Sequence, residues 1–431
     1  MNEKLRVRFS IFAWVAMAVA VVGCAIYVVG RGDILPPENA VEQPNEVLPA
    51  QLVYADPSDV GLDAERLERI DAIVERYLER ELVPGAVVGV MRHDKIVYAK
   101  AFGLREVVDA SVPMTLDTRF DLASMTKPIA TATAIMQLVE RGTIRLNERV
   151  DNYIPNFEGW VDEEDKRDTT HIRILDLLTH NSGLPAYATP KQIVKMHPDV
   201  ELPNRDTVVK FISHLPRLSK PRTECRYSCL NFVILSEIVE RATGVSFDCY
   251  VEDNILAPLG MTNSCFTPDS EYAECCAPTT PDGSGGMLRG VVHDPLSRET
   301  LGGVSGNAGL FSTLDDILKF SAMMLNGGKW GGVELLSPRS VEVLLNEPRG
   351  FEQWDRTVGW ESFRGYSSTA GDLLSSSAVG HTGATGTSII IDPELDLAIV
   401  ILTNKVHRTT SEHIVELRSR VATLVGAAIV E

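Results

Sequence analysis

The sequence predicts an α+β fold, in which an antiparallel sheet is flanked by helices and carries an inserted helical subdomain. Two pairs of apolar runs near opposite ends of the chain are each joined by a short polar turn, and strands joined in this way are antiparallel. A helical pattern precedes the first pair and another follows the last, while the middle of the chain is mostly helical. The simplest arrangement packs both terminal helices on one face of a single sheet and the helical middle on the other.

The composition is that of an ordinary globular protein. The chain has 431 residues, of which 44% are hydrophobic and 23% charged, so a large core can be buried. This length allows two to four domains, or one large domain with insertions. Because 59 acidic residues stand against 41 basic ones, the net charge is −18, and we expect no nucleic acid partner.

The first 30 residues differ from the rest. Residues 1–9 contain three basic residues and one acidic residue, and we expect them to stay in the cytoplasm. Residues 11–30 carry no charge and would form a helix about 30 Å long, enough to cross a bilayer. Residues 10–30 are therefore predicted to be a transmembrane signal anchor in inner-membrane lipid, with the rest of the chain on the extracytoplasmic side, periplasmic or extracellular.

Two other interpretations of this segment also lead to export. Residues 21–24 resemble a bacterial lipoprotein box with Cys24 as the lipidated residue, and a cleaved signal peptide is the third alternative. Residues 31–57 contain five prolines, which predicts an extended tether. The folded domain is then expected to span residues 58–431.

The elements of this domain follow from apolar periodicity. Four apolar residues at helical spacing predict the first helix: Leu67, Ile70, Val74 and Tyr77. Apolar, β-branched runs predict strands at 86–91, 96–102, 388–391 and 397–402. In the middle of the chain, helices are predicted at 129–140, 174–179, 207–213 and 231–243. A helix at 411–425 closes the chain.

The strongest local motif is Ser124-Met125-Thr126-Lys127, which stands just before a helical run. Ser124 and Lys127 are three residues apart, so at the start of a helix they share a face. A serine hydroxyl is a weak nucleophile, and a lysine amine can serve as its base if burial and the helix N-terminus lower the lysine pKa. Alone, the tetrapeptide is more typical of a capping serine followed by a surface lysine.

Two further segments could join this pair. Tyr227 precedes an amphipathic helix, and a tyrosine held near a lysine can ionise and relay protons. Residues 380–387 (Gly-His-Thr-Gly-Ala-Thr-Gly-Thr) run into a strand, where closely placed glycines let a substrate backbone approach. Taken singly, a structural tyrosine and a plain glycine-rich turn are the alternatives.

In this order, Ser-x-x-Lys, Tyr and His-Thr-Gly together resemble the serine β-lactamase and penicillin-binding-protein superfamily, over about residues 58–425. The resemblance is closest to its class C-like branch, which includes D-alanyl-D-alanine carboxypeptidases and β-lactamase-fold esterases. Further agreeing segments are 121–123, 177–184, 292–294 and 302–312. The resemblance implies a β-lactamase/transpeptidase-like fold and a serine hydrolase.

The resemblance also implies roles for the site residues. Ser124 would attack a carbonyl and form an acyl-enzyme, while Lys127 and Tyr227 would shuttle its proton. The backbone N–H groups of Ser124 and Ala384 would hold the oxyanion, and water would then release the acid. No metal and no organic cofactor is implied. The residues expected to bind the substrate are His381, Thr382 and Gly383.

Two positions depart from the family pattern. Cys229 stands where the family usually has Asn, or sometimes Asp, and a thiol is a weak substitute for an amide that would hold substrate or lysine. His381 replaces Lys and is mostly neutral near pH 7, which lowers the expectation of an efficient β-lactamase. Residues 305–307 match Ser-x-Asn formally, but their glycine-rich context makes them a poor replacement, and Asn307 stands where relatives often carry His.

The cysteines and histidines leave open questions of their own. Six of the seven cysteines lie between Cys225 and Cys276, and an exported chain permits disulfides. One hypothesis bridges Cys225 or Cys229 to the adjacent Cys275-Cys276, and buried free thiols are the alternative. The nine histidines form no metal-binding motif such as HExxH, so a metallo-hydrolase is not expected.

Three functions therefore stay open. The first is an exported serine peptidase of the D-Ala-D-Ala carboxypeptidase type, or a β-lactamase-related hydrolase, with cell-wall peptides as substrate. The second is an esterase that uses the same residues on small acyl esters. The third is a receptor that is acylated once without turnover, or an inactive binding module, which Cys229 would favour.

Overall fold

The computed structural model describes residues 51–108, 110–196, 203–364, 369–407 and 413–430. Its centre is a sheet that is antiparallel except at one edge, where a two-residue strand pairs in parallel. In order across the sheet, the strands are Val53–Tyr54, Lys95–Glu106, Gly85–Arg92, Leu397–Leu402, Ser388–Asp392, Val379–Thr382 and Glu361–Ser362, and Val112–Pro113 pairs with Lys95–Glu106. The predicted α+β fold is confirmed, because the N-terminal and C-terminal strand pairs lie side by side.

Helices cover both faces of this sheet. As predicted, the terminal helices Ala64–Glu79 and Ile414–Ala428 pack against each other on one face. Helix Leu314–Leu325, which the apolar pattern did not single out, packs on the opposite face. The strands are therefore buried on both sides and show continuous apolar runs instead of strict alternation. In one strand Val88 faces the terminal helices and its neighbour Val87 faces the other core.

The remaining elements form the helical subdomain and its connections. The further α-helices are Thr133–Glu140, Ile174–Leu178, Pro190–Met196, Arg205–Ser213, Cys229–Thr243, Phe247–Val251, Ser270–Glu274, Pro295–Thr300 and Pro338–Leu345. Short 3-10 turns occur at Pro57–Val60, Ala123–Met125, Val150–Asn152, Glu352–Trp354 and Lys405–His407. Three small strand pairs join Phe120–Asp121 to Phe311–Ser312, Trp160–Val161 to Thr169–Thr170, and Lys329–Trp330 to Val333–Glu334.

Two segments differ from the sequence prediction. The helix expected at 129–140 begins as a π-helix, Lys127–Ala132, before it becomes regular, and Glu252–Leu256 is a second π-helix. Pro128, which has no N–H to donate, lies in the first turn. Val53–Tyr54 belongs to the sheet although the predicted tether, 31–57, includes it, because the open edge of a strand can pair with any extended segment beside it.

The predicted cytoplasmic segment, the signal anchor at 10–30 and Cys24 lie outside the described residues. Within the five described ranges, no helix combines the length and the apolar character that a membrane span requires.

Candidate active site

Ser124 lies in a short turn that is pinned by a buried carboxylate. The strand Phe120–Asp121 leads directly into the 3-10 turn Ala123–Met125, and Ala123 takes a left-handed backbone with φ of 47°. The Asp121 carboxylate accepts hydrogen bonds from the backbone N–H of Ala123 at 2.8 Å and of His293 at 2.7 Å. These bonds hold an otherwise unfavourable backbone conformation next to Ser124.

Lys127 brings three other groups together. Its Nζ donates to Ser124 Oγ at 2.9 Å and to the carbonyl oxygen of Asn307 at 2.9 Å. Its third partner is the Sγ atom of Cys229, at 3.6 Å. The lysine is fully buried, with 0% of its surface exposed, while Ser124 and Cys229 are partly accessible. The nucleophile candidate and its base candidate are therefore in direct contact.

Tyr227 lies beside Lys127. The centre of its ring is 5.1 Å from Lys127 Nζ. Its ring contacts the imidazole of His180, with the centroids 4.5 Å apart. His180 Nδ1 accepts hydrogen bonds from the N–H of Ser228 and the side-chain amide of Asn231, so the imidazole is fixed beneath Tyr227.

These contacts set the charge of the site. Burial lowers the pKa of the Lys127 ammonium, but the acidic side chains of Cys229 and Tyr227 raise it, and the net direction is upward. Burial, and then the positive charges of Arg356 and Lys127, hold the pKa of His180 well below its usual range. The site thus contains a buried ammonium beside a neutral imidazole.

The predicted substrate segment is fixed against the Ser124 turn. Two hydroxyl groups, of Thr385 and Thr387, donate to the carbonyl oxygens of Asp121 and Leu122 at 2.8 and 3.0 Å. A Cβ atom at Gly383 would lie 2.1 Å from Thr387 Oγ1, so this approach requires glycine. Ala384 lies between these anchors and is exposed.

The predicted substrate segment is also held by the C-terminal helix. The buried Arg418, on the C-terminal helix, donates to the carbonyl oxygens of Thr387 at 2.8 Å and Gly383 at 3.3 Å. The loop is therefore held by the Ser124 turn on one side and by the C-terminal helix on the other.

His381 is buried at the end of the strand Val379–Thr382, with 4% of its surface exposed. Its Nδ1 lies 3.0 Å from the carbonyl oxygen of Thr382, and within the described residues its Nε2 has no hydrogen-bond partner. Burial, and then the charges of Lys127 and Arg356, lower the pKa of His381 well below its usual range. The imidazole is therefore neutral, and Thr382 beside it is partly accessible.

Sequence reasoning missed several residues of the site. Arg356, on the loop before the edge strand, has its guanidinium carbon 5.7 Å from the centre of the Tyr227 ring and pairs with Glu361 at 3.8 Å. No local pattern marks Arg356, because it reaches the site through the fold. His180 lies inside the family-like segment 177–184, which was the available signal. Asn307 contributes its backbone carbonyl, while its side chain bonds away from Lys127 to Ser305 and Ser297.

One open question of the sequence, the state of the cysteines, is answered for the described residues. The six cysteines there are all free thiols, so the hypothesis of a bridge from Cys225 or Cys229 to Cys275 or Cys276 is wrong. The alternative, buried free thiols, is right about the free state, but of these six only Cys276 is buried, and Cys249 is exposed. No group of three or more His, Cys, Asp or Glu side chains in the described ranges could hold a metal ion.

Comparison with known proteins agrees with this geometry. The Beta-lactamase family model matches residues 70–422. A protein of Salmonella gallinarum (strain 287/91 / NCTC 13346) named "Putative D-alanyl-D-alanine carboxypeptidase" is 34% identical over 382 residues, which cover 83% of this chain and 86% of the relative. An Escherichia coli (strain K12) protein of the same name is 32% identical and covers 84% and 87%.

Solved structures show the same fold. The hydrolase EstCE1, described as having promiscuous acyltransferase activity, superposes with a TM-score of 0.67 at 20% identity, over 85% of this chain and 99% of that one. A penicillin-binding protein homologue from Pyrococcus abyssi gives a TM-score of 0.63 at 26% identity, over 85% and 78%. Since the family model covers most of the chain and relatives exceed 30% identity over more than four-fifths of it, this protein is a serine hydrolase that belongs to the β-lactamase family.

Proposed function

We propose that this serine hydrolase is a D-alanyl-D-alanine carboxypeptidase that forms an acyl-enzyme on Ser124. The observation that carries the proposal is the contact of the Ser124 hydroxyl with a buried Lys127 that also lies beside Tyr227, next to a strand end held by hydrogen bonds. The curated relatives that carry this name support the choice of substrate.

In the proposed acylation step, Ser124 Oγ attacks the carbonyl carbon of the penultimate D-Ala residue. Because Lys127 is an ammonium, it takes the Ser124 proton across the 2.9 Å contact only as it gives one of its own protons, through Tyr227, to the leaving amine. The N–H groups of Ser124 and Ala384 stabilise the oxyanion, because the hydroxyl groups of Thr385 and Thr387 fix the Ala384 loop against the Ser124 turn.

In this proposal Tyr227 donates a proton to the leaving group. Its ring centre lies 5.1 Å from the Lys127 ammonium, so in this proposal its hydroxyl passes a proton to the departing amine of D-alanine and later accepts one from the attacking water. The contact with the His180 ring keeps the tyrosine ring in place while the hydroxyl exchanges protons.

The terminal carboxylate of such a peptide needs a cation, and Arg356 supplies it in this proposal. The guanidinium lies beside Tyr227 and lowers the pKa of His381, so its positive charge acts on the same space as the strand end. The Thr382 hydroxyl and the strand end at Gly383 add polar contacts to the substrate. His381, being neutral, orients the carboxylate without a charge of its own.

A neutral His381 also favours a second candidate, an esterase that acts on small acyl esters. Such substrates carry no carboxylate, so their binding does not require a positive charge on His381. The same Ser124, Lys127 and Tyr227 would perform the acyl transfer.

The test uses the full-length protein with a diacetyl-Lys-D-Ala-D-Ala peptide, a matched peptide ending in D-Ala-L-Ala, and p-nitrophenyl acetate. We expect release of the terminal alanine from the first peptide alone, and none with Ser124→Ala. Hydrolysis of the ester without D-alanine release would favour the esterase. A stable acyl adduct on Ser124 that does not turn over would identify the receptor instead.

We also propose that the hydrolase domain works outside the cytoplasm, held by residues 10–30 in the inner membrane. The uncharged segment and the basic residues before it support this topology, and a cell-wall peptide is found on that side of the membrane. Protease added to spheroplasts should degrade the domain while a cytoplasmic marker survives, and protection of the domain would contradict the proposal.

A further inference from the structure

The buried ammonium of Lys127 is directed at Ser124 with the help of a backbone carbonyl. Its Nζ donates to the carbonyl oxygen of Asn307 and to the Ser124 hydroxyl, each at 2.9 Å. A lysine side chain is a long flexible stem that ends in a point charge, and the charge alone selects no single direction. The position from which Nζ meets Ser124 therefore depends on where the Asn307 carbonyl is held.

Gly306, the residue before Asn307, is clamped between two helices. Its carbonyl oxygen accepts a hydrogen bond from the Thr131 hydroxyl at 2.8 Å, and its N–H donates to Ser236 Oγ at 3.1 Å. A Cβ atom at Gly306 would lie 2.2 Å from the carbonyl oxygen of Phe232, so this approach requires glycine. These contacts fix the peptide that leads into Asn307, but they leave the φ rotation of Asn307, and with it the carbonyl carbon, to be fixed by other groups.

The side-chain amide of Asn307 supplies this second constraint. Its Oδ1 accepts hydrogen bonds from the hydroxyl groups of Ser305 at 2.6 Å and Ser297 at 3.2 Å, and its Nδ2 donates to the Asp294 carboxylate at 3.4 Å. An amide can make all three bonds because it has both an acceptor oxygen and a donor nitrogen. With the nitrogen and the Cβ atom of the residue both held, the tetrahedral α-carbon leaves one position for the carbonyl carbon.

The groups that hold the amide are themselves fixed and buried. Asp294 caps the helix Pro295–Thr300 by accepting a hydrogen bond from the N–H of Ser297 at 2.8 Å. Ser297 and Ser305 have no exposed surface, and Asn307 is 1% exposed. These contacts therefore act on the site through Lys127 and not by touching a substrate.

We infer that Asn307 is a positioning residue that acts through Lys127: its buried side-chain amide fixes the carbonyl that orients the Lys127 ammonium toward Ser124. The effect on catalysis rests on the acylation of Ser124 in the proposed function. A displacement of about 1 Å at a reacting group can lower a rate about 100-fold. Loss of the amide should therefore slow the attack by Ser124 and leave substrate binding unchanged.

The test measures the rate at which a fluorophosphonate probe labels the full-length protein, together with kcat and KM for the D-Ala-D-Ala peptide. We expect Asn307→Ala to lower the labelling rate and kcat about 10- to 100-fold, while KM stays within about twofold. The matched control is Ser321→Ala, which removes a buried hydroxyl that bonds the Ile317 carbonyl at 2.8 Å on another helix and should leave these rates unchanged. A loss of rate no larger than that of the control, or a rise in KM in place of the fall in kcat, overturns the inference.

A double-mutant cycle with Ser305 gives a second readout that leaves Asn307 in place. Ser305→Ala removes the 2.6 Å bond to the amide and should lower the labelling rate about 3- to 10-fold. In an Asn307→Ala background the same change should cost less than about twofold, because both residues act through one carbonyl. Additive losses overturn the inference. If Asn307→Ala does not fold, Ser305→Ala and Ser297→Ala decide, and wild-type labelling rates in both overturn it.

The probe separates this inference from the proposed function, because it needs no peptide substrate. If the wild type is labelled on Ser124 but releases no D-alanine, the proposed function is wrong, and the labelling rates of the Asn307 and Ser305 variants still decide the role of Asn307. If Ser124→Ala is labelled as fast as the wild type, the acylation of Ser124 is wrong and the inference is overturned with it.

Discussion

Tyr227 is held by three side chains that come from three separate parts of the chain. The His180 ring contacts the Tyr227 ring with the centroids 4.5 Å apart, Lys127 Nζ lies 5.1 Å from the ring centre, and the Arg356 guanidinium carbon lies 5.7 Å from it. The ring is therefore positioned independently of the hydroxyl. Removal of the hydroxyl alone tests its chemical role.

We expect Tyr227→Phe to lower kcat for D-alanine release about 100-fold or more, because proton transfer by a positioned side chain contributes that much. The melting temperature should change little, since the ring contact with His180 is kept. Stopped-flow acylation and differential scanning fluorimetry measure the two quantities. An unchanged kcat would remove Tyr227 from the proton path.

Residue patterns predict one part of the site and leave out another. Ser124 and Lys127 are found from the sequence because their contact is local, three residues apart at the start of a helix. Arg356 and the Asn307 carbonyl are not found from the sequence. Only the tertiary fold brings the Asn307 carbonyl to Lys127 and Arg356 to Tyr227. A backbone carbonyl carries no sequence signal at all.

Among the elements, the junction of the strand Phe120–Asp121 with the Ser124 turn depends on one carboxylate. Burial raises the pKa of Asp121 to about 6, above its ordinary value. The folded protein therefore holds this proton more tightly than the unfolded chain does. Its contribution to stability falls as the pH rises from about 4 to 6 and is constant above that range.

The variant Asp121→Asn should remove this pH dependence. Relative to the variant, the free energy of unfolding of the wild type should fall by about 2 kcal/mol between pH 4 and pH 7, because the pKa of Asp121 is about 6 in the folded protein and lower in the unfolded chain. Urea unfolding at a series of pH values measures the difference. A difference that stays flat or rises with pH contradicts the raised pKa.

The C-terminal helix reaches the site through Arg418. We expect Arg418→Met to lower kcat/KM about 10- to 100-fold, because the Gly383 and Thr387 carbonyls lose their donor and the Ala384 N–H shifts. The matched control is Arg420→Met on the same helix, where the arginine is exposed and pairs with Glu416. An equal loss of kcat/KM in the two variants would show that the general integrity of the helix, and not the contact of Arg418 with the loop carbonyls, supports the activity.

For the whole molecule, stability rests on the two cores rather than on covalent bonds between cysteines. The described cysteines are free thiols, and large apolar clusters cover both faces of the sheet. A thiol titration of the denatured, unreduced protein should find Cys225, Cys229, Cys249, Cys265, Cys275 and Cys276 all reactive. The melting temperature should not change with dithiothreitol, and a drop on reduction would contradict the free-thiol state.

The architecture was predictable where patterns are long and regular. Both strand pairs and both terminal helices follow from apolar periodicity, because each buries a continuous stripe or run. The π-helical start at Lys127–Ala132 and the short pair Phe120–Asp121 with Phe311–Ser312 were not predictable. Two-residue strands and extra residues in a helical turn depend on distant partners, which no local pattern records.

The pairing of Gly85–Arg92 with Leu397–Leu402 has a consequence for synthesis on the ribosome. Val87 meets Leu402, about 300 residues later in the chain, so at ordinary translation rates the first strand waits about 15 to 60 s for its partner. During that interval its apolar edge can pair with other nascent chains. The sheet, and with it the Ser124 site, can close only when almost the whole polypeptide has been made, so a premature stop before residue 397 leaves an inactive, aggregation-prone product.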